Sequence, residues 1–305
     1  MTEIIRKKLS DSAGARWTAL LIVAFTMMMG YFITDVMSPL EVILETSKEQ
    51  GGLGWSSSDY GFFAGSYGLI NVFMLMLFFG GIILDKMGIR FTGVMASGLM
   101  VVGVIIKYFG VTTDFGDSKF TLDFVNFSLP MSAAIASLGF AIFGVGCEIC
   151  GITISKIITK WFTGHELALA MGVQVGLARL GTTAAMAGSL PLAKAFGNHV
   201  SAPILLGLVL LIAGFLAFIV YTVMDKKLDA STGEVTGNVS DEDEGFHFAD
   251  LKFIFTNPGF WCITLLCLMF YSGVFPFLKF ATKLMVDNYN VPQDLAGSLP
   301  GAIPL

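Results

Sequence analysis

Charge is scarce in this 305-residue chain: 13% of its residues are Asp, Glu, Lys or Arg, against 55% that are hydrophobic, and the mean hydropathy is +0.77. That balance excludes a single water-soluble domain and makes this a membrane protein. Cysteine is sparse too. Cys147, Cys150, Cys262 and Cys267 all fall inside apolar stretches, where a free thiol behaves as a small apolar side chain, so no disulfide framework is implied. Three histidines are present, and His165-Glu166 is followed by Leu169 where a metalloprotease helix needs its second histidine. No nucleophile with a base, metal-ligand set or nucleotide loop is visible, so we expect no enzyme, no metal and no cofactor. The net charge of −5 arises mostly from loops and one acidic linker and gives no reason to expect nucleic acid as a partner. Basic residues precede the first apolar run, but that run is too long for a signal peptide and lacks a small-residue cleavage site.

What the chain has in abundance is long apolar runs. A spanning helix needs about 20 mainly apolar residues, and seven such stretches are predicted at 17–43, 60–84, 91–111, 131–158, 167–190, 203–223 and 259–284. An eighth begins near Leu295 and is cut off at Leu305, so the sequence reads as an incomplete protein. Six spans, a polar segment and further spans predict a six-helix half over 1–224, a flexible cytoplasmic linker over 225–257 and the start of a second half over 258–305. Counting Lys and Arg in short loops favours a cytoplasmic N-terminus. Arg6, Lys7, Lys8, Arg16, Lys86, Arg90, Lys156, Lys160, Lys226, Lys227 and Lys252 then share the inner side. Lys48, Lys107, Lys119, Lys194, Lys279 and Lys283 fall outside, several of them placed to snorkel from helix ends.

Two opposite charges lie inside consecutive apolar stretches: Glu148 within 138–158 and Arg179 within 168–190. A charge at the centre of a spanning helix costs at least roughly 2.5–3.5 kcal/mol, so such residues face an interior cavity and have partners. Gly144 and Gly151 lie four before and three after Glu148, leaving space beside its carboxylate; Gly172, Gly176 and Thr183 share the face of Arg179. The guanidinium fork suits a carboxylate. A structural Glu148–Arg179 ion pair without ligand is the plainer alternative. In the first span Tyr31, Phe32, Asp35, Ser38 and Pro39 form a face too polar for lipid, and Pro39 should kink it; Asp35 serves a pathway or reaches water at the outer end. Asn71 suits a hydrogen bond between helices. The seventh span carries Phe270, Tyr271, Phe275, Pro276 and Lys279, and its proline answers Pro39 at the matching position of a second repeat, the sequence pointer to a central transport site. Asp85 ends its own helix, where the dipole disfavours an anion, and needs Lys86, Arg90 or another helix's amino end to stabilise it.

Gly81-x-x-x-Asp85-Lys86-x-Gly88-x-Arg90, set between the second and third spans, closely resembles the signature loop of the major facilitator superfamily, lacking only the final basic residue, where Phe91 stands. The resemblance implies an all-α membrane fold of twelve spans in two six-helix halves with a midplane site open to alternate sides. It assigns Asp85, Lys86, Gly88 and Arg90 to the cytoplasmic gate. A narrower likeness rests on Phe32-Ile-Thr-Asp35, Gly146-Cys-Glu148, Lys160-Trp-Phe-Thr-Gly-His-Glu-Leu, Ala178-Arg179-Leu-Gly181 and Val274-Phe-Pro-Phe277, which look like the branch containing the lysosomal dipeptide uniporter. It implies that Glu148 holds the ammonium and Arg179 the carboxylate of a dipeptide. Charge complementarity points the same way, since a zwitterion exchanges the pair's mutual contact for two of its own.

The expectation is therefore a transporter of a small solute, best exemplified by dipeptides, with Glu148, Arg179, Asp35, Tyr31 and Tyr271 at the site. The lipid bilayer and the solute are its partners, a carboxylate beside Arg can carry a coupling proton, and an accessory subunit is not readable. A proton-coupled carboxylate or organic-anion carrier is the alternative within transporters. A non-transporting scaffold or nutrient sensor is the alternative outside them. The short tail has no acidic dileucine signal, which favours a plasma (cell inner) membrane.

Overall fold

The computed structural model describes residues 9–123, 126–232 and 250–302. The first apolar run forms α1, Ala13–Asp35, followed by a 3₁₀ turn, Ser38–Leu40, and the short α2, Glu41–Leu44. The break has a direct cause: the ring of Pro39 conflicts with the carbonyl four residues earlier, that of Asp35, where α1 ends. A capping box starts α3, Ser57–Phe73: the Ser56 side chain accepts from the Asp59 amide and the Asp59 carboxylate accepts from the Ser56 amide at 2.8 Å.

α3 stops at Met74 and Leu75, the latter with φ 49°, so the expected second span, 60–84, is helical on either side of this break. α4, Met76–Thr112, turns a corner at Gly88 (φ 76°, ψ 171°), a left-handed conformation that glycine adopts without strain. A two-stranded hairpin follows, β1 (Lys119–Leu122) with β2 (Phe127–Pro130) in antiparallel register. Lys48 binds Asp114 nearby at 2.8 Å and holds its carboxyl below the usual range. Then come α5 (Met131–Phe162), α6 (Leu167–Ala195), α7 (Ser201–Thr232), α8 (Asp250–Thr256), α9 (Pro258–Tyr289), α10 (Gln293–Ala296) and α11 (Ser298–Gly301).

Among the described residues six helical segments are long and apolar enough to cross a membrane, which makes this an integral multi-pass membrane protein. α5 packs along α4 and also meets α3, while α1 lies against α6 and α7. The α4–α5 contact is backbone to backbone: a Cβ at Gly103 would enter α5, and one at Gly139 would enter α4. Small residues permit this approach where lipid supplies no hydrophobic drive between helices.

Two expectations change here. The polar stretch 225–257 is not flexible linker at either end, because α7 continues to Thr232 and α8 covers Asp250–Thr256. Residues 233–249, which hold the acidic run, lie outside the described residues, as do Arg6, Lys7 and Lys8. Pro276 does not interrupt its helix, since α9 runs through it. The reason for the extra length of α7 is a charge cluster. Asp225, fully buried, accepts from Arg90 Nε at 2.7 Å and Lys160 Nζ at 2.9 Å, and Asp229 one turn later also binds both cations. Trp161 Nε1 and Tyr221 OH complete the shell of Asp225 at 3.3 and 3.2 Å. At the same end Arg16 of α1 binds Glu166 at 3.2 Å.

Candidate functional site

Glu148 stands near the middle of α5, half-buried, and its Oε1 accepts a hydrogen bond from the Tyr67 hydroxyl of α3 at 2.7 Å. Gly144 makes this contact possible. A Cβ there would collide with the Tyr67 carbonyl oxygen, so α3 reaches this level of α5 because position 144 has no side chain. The expectation of open space beside the carboxylate at Gly144 is thus corrected: α3 fills it and delivers a phenol. Tyr67→Phe should lower stability by about 1.5 kcal/mol, the weak end for a bond to a charged group because half-buried Glu148 can be rehydrated. An unshifted thermal midpoint would show that the bond carries no weight.

Arg179 of α6 places its guanidinium carbon 5.5 Å from the centre of the Tyr31 ring of α1, a cation–π contact. Open space remains beside Gly172 and Gly176 on the same face, whereas a Cβ at Gly181 would strike the Met28 carbonyl, which is where α6 closes on α1. Thr183, also on this face, donates to the Gly301 carbonyl at 2.8 Å. Glu148 and Arg179 therefore take separate partners, Tyr67 and Tyr31, rather than each other.

Tyr31, Tyr67, Glu148 and Lys279 line one cavity of about 460 Å³, within the roughly 300–1,000 Å³ common for small-molecule sites. A larger hollow of about 650 Å³ lies at the hairpin end, but its wall charges Lys48 and Asp114 bind each other. Arg179 is set behind Tyr31 rather than on the cavity wall. Tyr271 is 42% exposed and stacks on Phe275, which does line the cavity, with ring centres 5.1 Å apart.

Asp35, one turn beyond Tyr31, does not reach water as the plainer alternative had it. It is 7% exposed, its Oδ1 accepts from Lys279 Nζ at 2.7 Å and its Oδ2 from Thr182 at 2.9 Å; Lys279 also donates to the Thr34 carbonyl at 2.6 Å. Lys107 is fully buried, donates to the Ile33 carbonyl at 3.1 Å and lies 4.9 Å from the Phe140 ring centre. Neither lysine snorkels from a helix end, which corrects that expectation. The signal was available, because both lie within the apolar stretches 91–111 and 259–284, the same criterion that picks out Glu148 and Arg179.

The signature-loop residues are not brought to this cavity. Asp85 is stabilised by Lys156 of α5 at 2.6 Å, not by Lys86, Arg90 or a helix amino end, and both partners are half-exposed. Gly88 forms the corner, Lys86 points to the exterior and Arg90 joins the Asp225 cluster.

The family model described as Major Facilitator Superfamily matches residues 20–304. The lysosomal dipeptide transporter MFSD1 of Danio rerio is 24% identical over 229 residues, 71% of this chain and 44% of the relative. That of Bos taurus is 22% identical over 298 residues, 94% and 57% respectively. The chain thus spans about half the length of the curated relatives it matches. Among solved structures, a POT family transporter in complex with 5-aminolevulinic acid shares 17% identity with a TM-score of 0.49, covering 88% of this chain and 49% of that one.

Proposed function

We propose, from the premise that the chain belongs to the major facilitator superfamily, that it moves a small zwitterion, best exemplified by a dipeptide, across a membrane by alternating access around the Glu148 cavity. The observation that carries this reading is a single cavity with an acid and a base on its walls, Glu148 and Lys279, and a second base, Arg179, one aromatic ring behind. Glu148 binds the solute's ammonium in exchange for the Tyr67 hydroxyl. Arg179 binds the carboxylate, reached when the Tyr31 ring turns aside. Tyr31 and Tyr271 shape the entrance, and Asp35 holds Lys279 in place. Charge-assisted contacts of this kind are the strong ones, and they are made only to a solute carrying both charges. The names of the MFSD1 relatives, dipeptide transporters, support the substrate class.

At the far end the Gly88 corner with Asp85, Lys86 and Arg90 serves the gate, bracing α4 against α5 and α7. We place that end and the N-terminus in the cytoplasm, on the distribution of Arg and Lys, and the protein in a plasma membrane. Uptake into liposomes decides the substrate class. Labelled alanyl-alanine should accumulate in preference to labelled lactate, with or without a proton gradient. Preference for lactate with dependence on the gradient would instead indicate a proton-coupled carboxylate carrier, and alanyl-alanine binding without flux a sensor.

A further inference from the structure

Glu41 opens α2 directly after the turn that Pro39 forces, and it is completely buried. Neither of its carboxylate oxygens has a hydrogen-bond partner. The nearest cation, Lys283 of α9, is committed elsewhere. Its Nζ donates to the two oxygens of Glu45 at 2.5 and 2.6 Å and to Ser57 Oγ at 2.5 Å, while Glu41 Oε1 is 3.9 Å away, beyond hydrogen-bond reach.

The other titratable groups facing Glu41 offer no relief. Glu45 on its own helix and Asp287 on α9 are acids, and Tyr60 of α3 is a phenol whose hydroxyl donates to the Lys279 carbonyl at 3.1 Å. One lysine thus faces three carboxyl groups. Glu45 holds the lysine and Asp287 is exposed, so the charge that cannot be kept is that of Glu41. A buried ionised carboxylate that no group hydrogen-bonds, and whose one cation 3.9 Å away is held by another acid, is costlier than the neutral acid, and such a group takes up a proton instead.

We propose that Glu41 is a proton-binding site built into the contact between α2 and α9, and that the proton it holds keeps this contact closed. The balance is simple: a carboxylate oxygen takes H⁺ from water as α9 closes on α2 and returns it when the helices part and water enters. Because the closed arrangement binds the proton more tightly than the open one, raising pH must favour opening at this end. Glu41 is not on the wall of the Glu148 cavity, so the site stands or falls independently of the solute reading.

Infrared difference spectroscopy of the full-length protein in lipid nanodiscs at neutral pH tests it. The wild type should show the carbonyl absorption of a protonated side-chain carboxyl, and E41Q should lack it. E45Q should lose it as well, because Lys283, released from Glu45, can pair with Glu41 and displace its proton. E41Q is isosteric with the neutral acid and should melt at the wild-type temperature. No such absorption in the wild type, or its full survival in E41Q or in E45Q, would overturn the proposal.

Discussion

Glu148→Gln should weaken binding of a zwitterionic dipeptide by roughly 10–150-fold while leaving the fold intact, the range set by a hydrogen bond to a charged group worth about 1.5–3 kcal/mol. Glutamine keeps the shape, and its side-chain oxygen can still accept from Tyr67, which donates to Glu148 at 2.7 Å. What is lost is the negative charge that meets the ammonium. Titration calorimetry with alanyl-alanine measures the loss, and thermal unfolding of the same sample shows that the architecture survives. Equal affinity in the two proteins would remove Glu148 from the site.

Asp225→Ala should have the largest effect on stability, about 3–5 kcal/mol, the range for removing one partner of a buried ion pair. The carboxylate is fully buried and serves Arg90, Lys160, Trp161 and Tyr221 at once. The lower end of that range is expected, because Arg90 and Lys160 keep Asp229. Lys156→Ala, which breaks the half-exposed pair with Asp85, should cost under about 1 kcal/mol. Comparing the thermal midpoints of the two variants in detergent checks the contrast. If they were equal, the cluster joining α4, α5 and α7 would carry no special weight.

Most spans were legible because bilayer thickness writes itself into sequence as apolar length, although 60–84 is broken at Met74 and Leu75, and the Pro39 break was legible because a proline ring conflicts with the carbonyl of Asp35. Glu148 and Arg179 stood out as charges where none belongs. What escaped is what depends on which helix faces which. Gly144 reads as space beside Glu148, but the same missing side chain lets α3 close in and brings Tyr67 to the acid. Asp225 and Asp229 read as the start of a polar linker, because their partners Arg90 and Lys160 are over 60 residues away in sequence and adjacent only after folding. Lys107 and Lys279 were assigned by topology to the exterior side, and the depth at which each ammonium ends is set by the carbonyls of Ile33 and Thr34.

The most direct test combines a change in the solute with a change in the protein. The dissociation constants of alanyl-alanine and its N-acetylated form are measured for the wild type and for E148Q, so that the coupling between amino group and carboxylate is isolated. If Glu148 receives the ammonium, acetylation weakens binding to the wild type by roughly 10–150-fold and leaves binding to E148Q nearly unchanged. The same acetylation penalty in both proteins would mean that the ammonium is recognised elsewhere and that this cavity does not bind a zwitterion through its acid.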